Sequence, residues 1–266
     1  MPVNRVRWLI FAAVLVIVVL AILGAVSRPR DGSPGGSSSP PPAPTAPAAP
    51  SAAPSPAPAT PSAASAAPAA TTATVAPGTV LSLTRLLDLL AVRVEDRTGY
   101  KRSLFDHWID ADGDGCDTRR EVLIEEATVA PSVTAGCHLT GGRWHSSYDG
   151  LETTNSSTFD VDHVVPLAEA WDSGASAWTP NRRMRFANDL DVPWSLIAVS
   201  ATSNRAKSDG DPADWLPPLV TVRCDYAADW LAVKVRWSLA IDARELAALE
   251  PLARECPDTM PVLPAP

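Results

Sequence analysis

The part of this chain able to fold is short of positive charge. The whole sequence has 22 Lys and Arg against 30 Asp and Glu, and residues 1–78 hold four Arg and one Asp of these. Residues 79–266 therefore carry 18 basic and 29 acidic side chains, a net of −11. That excludes holding nucleic acid by overall charge, which needs a basic face. Any such role requires a local basic patch and a bound cation, and predicts weak, salt-sensitive association. Cysteine pairs at C-x-x-C spacing are also absent, so Cys116, Cys137, Cys224 and Cys256 do not make the usual structural zinc motif. Residues 31–78 lack aromatics altogether and hold one charge, Asp31, with 13 of the 27 prolines. Such a stretch buries too little apolar surface to offset its ordering entropy, which predicts a disordered spacer with polyproline-II bias.

What the sequence does have begins at the N-terminus. Trp8 to Val26 is an apolar run of 19 residues without charge. A bilayer core of about 30 Å needs about 20 such residues, so the run predicts a single-pass transmembrane helix with Arg5 and Arg7 on the cytoplasmic side. Cleavage as a signal peptide after Ala25-Val26-Ser27, giving a secreted form, is the alternative. Either way the remainder lies outside the cytoplasm, where four cysteines read as two disulfides. Three pairings are open; the sequence-local one, Cys116–Cys137 with Cys224–Cys256, is favoured. The expected domains are 1–30 (anchor or signal), 31–78 (linker) and 79–266 (folded domain).

Within the folded part, Leu83, Leu86, Leu87, Leu90 and Val94 predict an amphipathic helix over 80–95. Val122-Leu123-Ile124 fits a strand or a helical turn, and Trp144 sits in a short strand between glycine turns. Residues 158–165 read as a strand ended by Pro166, followed by a helical turn over 167–172. A second strand is expected over 195–200, then a helix start at 202–207 capped by Ser200 or Thr202. Asp211-Pro212 opens another predicted helix. Tyr226, Trp230, Val233 and Trp237 mark a helix over 225–239, and Asp242 caps a last one through Leu252. Strands followed by packed helices make the fold α+β.

The chemistry concentrates at Asp160-Val161-Asp162-His163, where a strand end delivers a carboxylate and an imidazole side by side. About 40 residues later comes Ser203-Asn204-Arg205-Ala206-Lys207, an amide and two cations at a helix start. Phosphodiester hydrolysis needs a base to activate water, a hard cation on oxygen ligands, and a cation or helix-terminal N–H groups to hold phosphate. Histidine supplies the first. Aspartate and asparagine supply ligands for the second, and Arg205, Lys207 or the helix start supply the third. Read without function, Arg205 and Lys207 are solvated surface charges. Arg182, Arg183 and Arg185 form a basic knot that is either a phosphate contact or a solvated face. Glu169 is expected to be structural, and Trp171, Trp178 and Trp215 to be packing residues.

The motifs Asp162-His163-Val164-Val165-Pro166-Leu167-Ala168-Glu169-Ala170-Trp171, Arg185-Phe186-Ala187-Asn188-Asp189-Leu190, Leu196-Ile197-Ala198-Val199-Ser200, Ser203-Asn204-Arg205-Ala206-Lys207 and Asp211-Pro212-Ala213-Asp214-Trp215-Leu216-Pro217-Pro218 resemble the secreted HNH endonucleases of the GmrSD C-terminal-domain type. The resemblance runs from Tyr100 to Cys256. It implies a ββα-metal (HNH) core with packed C-terminal helices, binding one divalent ion, Mg²⁺ or Mn²⁺. Asp162 and Asn204 become metal ligands and His163 the general base. The middle Asn of many HNH enzymes is replaced here by Ser195; either Asn188 takes over orientation of the base or that role is absent. The substrate implied is DNA, with RNA left open, and no protein partner is implied.

Asp110, Asp112, Asp114 and Glu121 fit the spacing D-x-D-x-D-G-x₅-E of a calcium loop, with a Cys at its seventh position. The plain alternative is an Asp/Gly-rich turn tied down by Cys116. Two functions follow. One is a metal-dependent extracytoplasmic endonuclease of little sequence preference; the other is a non-catalytic, calcium-stabilised, disulfide-stapled envelope-binding module.

Overall fold

The computed structural model describes residues 79–256 and 262–263. The apolar run and the linker expected before them lie outside the described residues. Among the described residues no helix is long and apolar enough to cross a membrane.

The chain runs β1 (Thr79–Val80), α1 (Leu83–Leu89), α2 (Thr118–Glu125), β2 (Ser132–Thr134), β3 (His138–Thr140), β4 (Trp144–His145), β5 (Glu152–Thr153), β6 (Phe159–His163), α3 (Leu167–Asp172), α4 (Pro180–Ala187), β7 (Leu196–Ser200), α5 (Ala201–Lys207), α6 (Arg223–Trp237), α7 (Ala243–Glu255) and β8 (Val262–Leu263). The strands pair as four antiparallel two-stranded ribbons, β1 with β8, β2 with β3, β4 with β5, and β6 with β7. The fold is a mixed α+β arrangement, as the sequence predicts.

Local signals place most ends. Ser82, Asp117, Thr179, Ser200 and Asp242 each accept a backbone N–H at the start of the following helix. Two expectations fail. The helix over 80–95 stops at Leu89, because beyond it the backbone pairs with the α6–α7 connection: Ile241 N–H donates to the Ala91 carbonyl at 3.0 Å and Arg93 N–H to the Ile241 carbonyl at 2.8 Å. Val94 is consequently solvent-exposed. No helix follows Asp211-Pro212 either. Asp211 caps a single turn, accepting from Ala213 and Asp214 N–H, and Pro217-Pro218 offer no N–H to extend it. The ambiguous run at Val122 is helical.

The larger core joins α1, α3, α6 and α7, with Leu83, Leu86, Trp230 and Leu231 wholly buried. Each such side chain stabilises the fold by about 1.5–3 kcal/mol relative to exposure. A smaller cluster lies on one face of the β6–β7 ribbon, where Phe159, Val161, Leu196 and Ala198 meet Val122 and Leu123 of α2 and Trp144 of β4. Alternation along a strand sends the intervening residues Asp160 and Asp162 to the opposite face. There α5, which follows β7 without a break, packs over them. Both disulfides form, Cys116–Cys137 and Cys224–Cys256, the sequence-local pairing.

Candidate active site

The β6–β7 register sets Asp160 opposite Val199 and Asp162 opposite Ile197, so both carboxylates lie under α5. Asp162 is buried and accepts two hydrogen bonds, with an ion-pair contact beside them. Lys207 Nζ donates to Oδ1 at 2.9 Å and lies 2.8 Å from Oδ2, and the Tyr148 hydroxyl donates to Oδ2 at 2.6 Å. Burial raises the Asp162 carboxyl above its ordinary range, and the Lys207 ammonium beside it offsets only part of that rise. Lys207 itself has no solvent contact and also donates to the His163 carbonyl at 2.9 Å. It is therefore beneath the site rather than on its surface, and its ammonium is taken up by the protein.

His163 ends β6. Its Nε2 lies 2.9 Å from the Ala187 carbonyl at the end of α4. A carbonyl only accepts, so Nε2 carries the proton and Nδ1 keeps a free lone pair. The ring is stacked against Phe186 at an interplanar angle of 17° and lies 5.2 Å, centroid to centroid, from Trp108. Burial drives its pKa down to about 3, with the Ala187 carbonyl opposing and the charges of Arg102, His107 and Lys207 adding to the fall. The imidazole is thus neutral at physiological pH.

Asn204, one turn into α5, donates from Nδ2 to Asp160 Oδ2 at 3.3 Å, and Arg205 Nε approaches the same oxygen at 3.6 Å. Asp162, His163, Asn204 and Arg205 line one cleft of about 300 Å³, together with Arg102 and Asp209. The structure thus brings together four of the residues singled out from sequence. The seven-residue α5 does not present its N-terminus to a phosphate as expected. Asp149 occupies that end, with the Ser200 hydroxyl donating to Oδ2 and the Ser203 hydroxyl doing so at 2.8 Å.

Asn188 stands apart from the imidazole. Its Oδ1 accepts from Ile109 N–H and the Thr118 hydroxyl, and its Nδ2 donates to the Asp106 and Met184 carbonyls. The contact expected of it is made by the carbonyl of its neighbour Ala187, while Asn188 ties the 106–118 segment to α4. Ser195, at the place of the missing Asn, donates to Asp189 Oδ2 at 3.1 Å, within a buried set containing Arg236 and Trp237. The basic knot is mostly internal. Arg183 is buried and donates to the Leu104, Ala175 and Trp178 carbonyls, and Arg182 donates to the Trp237 carbonyl across the Trp178 ring. Arg185 is exposed. Glu169 is structural, paired with Lys234. Sequence reasoning missed Tyr148, Arg102 and the Ala187 carbonyl; no local motif marks any of them.

The Asp110–Glu121 loop is shaped by its own acids. Asp110 accepts from Gly113 and Gly115 N–H, and Asp114 from Cys116 N–H. Oxygens of Asp110, Asp112 and Asp114 lie within 4.8 Å of one another. Burial raises the Glu121 carboxyl, and the charges of Asp114, Asp112 and Asp110 raise it further. The exiting helix α2 is present; in place of an entering helix there is one turn, Arg102–Leu104.

The cleft's donor set suits a hard cation. Asp162 has used two of about four lone-pair positions, and Asn204 has its amide oxygen left after donating from Nδ2. Two oxygen ligands beside an open cleft fit an ion such as Mg²⁺ or Mn²⁺, which keeps several waters and takes substrate oxygens.

These features define a disulfide-bonded α+β domain with a buried Asp–His pair on a two-stranded ribbon and a helix closing over it. Residues 118–249 match the family described as GmrSD restriction endonucleases, C-terminal domain, and the chain belongs to that nuclease-related family. The chain is 43% identical over 172 residues to an uncharacterized secreted protein of Arthroderma benhamiae, across 64% of this chain and 83% of that protein. No solved structure matches it.

Proposed function

We propose that this chain is a metal-dependent endonuclease of the HNH type, hydrolysing phosphodiester bonds of DNA outside the cytoplasm with little sequence preference. The observation that carries it is the neutral His163, its Nε2 held by Ala187 and its Nδ1 free, in one cleft with Asp162 and Asn204. In this reaction Nδ1 accepts a proton from water. The water oxygen forms a bond to phosphorus, the bond from phosphorus to the departing sugar oxygen breaks, that oxygen takes up a proton from solvent, and the imidazolium returns its own proton to solvent. Asp162 and Asn204 would hold the divalent ion, which supplies charge neutralisation at the phosphate. Lys207 and Tyr148 fix the Asp162 carboxylate, and Arg205 offers a charge at the rim. RNA cleavage is the same chemistry and is distinguished by substrate competition.

The ββα arrangement of β6, β7 and α5 and the family membership support this reading. Two disulfides and the secreted relative support an extracytoplasmic place. Membrane attachment through residues 8–26, or release by cleavage, is distinguished by fractionation of expressing cells. The deciding experiment is nicking of a supercoiled plasmid with Mg²⁺ or Mn²⁺, with and without EDTA. His163→Ala is expected to lower cleavage by about 10²–10⁴-fold with the fold intact. Undiminished cleavage by that variant would sink the assignment.

The closely gathered oxygens of Asp110, Asp112 and Asp114 support a second function, the calcium-stabilised envelope-binding module. A melting temperature that rises with calcium, in a chain that cuts no plasmid, would establish it instead.

A further inference from the structure

Arg102 lies upstream of the family-matched segment, on the turn Arg102–Leu104, yet its side chain lines the cleft beside Asp162, His163, Asn204 and Arg205. The turn is firmly held although the side chain is exposed. Phe105 next to it is buried against Trp171 and Phe186, and Arg183 Nε donates to the Leu104 carbonyl at 3.1 Å. Arg183, which the sequence suggested as a phosphate contact, instead fixes the backbone that presents Arg102.

The other charges at the cleft are already matched. Asp162 is neutralised by Lys207, Arg205 leans on Asp160 at 3.6 Å, and Asp209 faces Arg97 at 3.6 Å. Arg102 contacts the Tyr100 hydroxyl, and among the described residues no carboxylate forms an ion pair with it. In a domain of net −11, an arginine without a counter-ion beside a base is where an anion is drawn. The guanidinium fork also matches two phosphate oxygens, which an ammonium does not.

We propose that Arg102 is a catalytic residue that grips the non-bridging oxygens of the scissile phosphodiester next to Nδ1 of His163. This rests on the nuclease function proposed above and adds to it the group that holds the substrate.

The test uses the full chain as wild type, Arg102→Ala, Arg102→Lys and the surface control Arg85→Ala. Plasmid nicking with Mg²⁺ is paired with binding of a short DNA duplex, measured across salt concentrations in a His163→Ala background without metal. Arg102→Ala is expected to lower kcat/KM by about 10²–10³-fold, the scale for removing one transition-state donor. Arg102→Lys is expected to recover part of that loss. The slope of log affinity against log salt should fall by about one with Arg102→Ala, and stay unchanged with Arg85→Ala. All variants should melt with the wild type, since Arg102 is exposed. A wild-type rate in Arg102→Ala, or an unaltered salt slope, overturns the proposal for Arg102 alone. If the wild type does not cut DNA, the nuclease function fails and the catalytic role of Arg102 fails with it, whereas cutting by the wild type and equally by Arg102→Ala overturns the role of Arg102 alone.

Discussion

Lys207 and Lys234 are both lysines without solvent contact, and they differ in what surrounds them. Lys234 meets Glu169 and Glu245 at 2.6 Å each, with the Ser173 hydroxyl at 3.0 Å and the Ala240 carbonyl at 2.9 Å. Burial works against its charge, but the two glutamates outweigh burial and its pKa is raised. Lys207 has one carboxylate and one carbonyl, and burial wins: its pKa is lowered. The first is a closed cluster inside the helical core, with every ammonium proton matched. The second is an open pair, whose carboxylate also lines a cleft. Full satisfaction of a buried charge marks structure; a partner left facing a cavity marks a site.

Substitution of each lysine by methionine tests that contrast directly. Lys234→Met leaves two buried carboxylates without a cation and is expected to cost about 3–5 kcal/mol of stability, with the specific activity of the folded fraction retained. Lys207→Met leaves one carboxylate that water in the cleft can reach, and should cost about 1–3 kcal/mol, but it frees Asp162 to rotate or protonate and should lose most cleavage. Urea denaturation and plasmid nicking on the same samples would read both. Equal stability losses, or a fully active Lys207→Met, would break the comparison.

A smaller effect separates the two regions by pH. His163 is held at about 3 when folded, against 6.5 as an unperturbed group. Its folded form refuses a proton that the unfolded form accepts, so this contribution is complete above pH 6.5 and is lost as pH falls toward 3. The Lys234 region behaves oppositely. Burial raises Glu245 to about 7 and Glu95 to about 8, from 4.5, with the Glu169 charge adding to both. Those contributions are complete below pH 4.5 and are lost as pH rises through 7 to 8. Melting temperature against pH should therefore fall on both sides. His163→Asn should flatten the acid limb and Glu95→Gln the alkaline one; a variant that flattens the wrong limb, or neither, removes the assignment.

Much of this was legible residue by residue. The strand carrying Asp162 and His163, the return strand at Leu196, the caps at Ser200 and Asp242, and the long helix with Tyr226, Trp230 and Trp237 all follow from alternation, helical spacing and side-chain capping. Those are short-range effects, written within a few residues of where they act. The helix predicted over 80–95 failed at Leu90 because its partner, Ile241, is far away in sequence. Asn188 looked like a residue that orients the imidazole; its four hydrogen bonds go to Asp106, Ile109 and Thr118 of a distant segment and back to Met184, and the carbonyl of neighbouring Ala187 holds His163 instead.

Composition and order alone determined that this chain carries an acidic, disulfide-bonded α+β domain with an Asp–His pair and a following Asn–Arg–Lys segment. Net charge, strand period and an even cysteine count need no knowledge of distant contacts. The tertiary structure decided which cations face the cleft. It turned Lys207 inward against Asp162 and Arg183 inward against Leu104, and brought Arg102 from another part of the chain to the cleft. A charged side chain reads the same in sequence whether it meets a carboxylate, a carbonyl or open solvent, and only packing assigns it one of these.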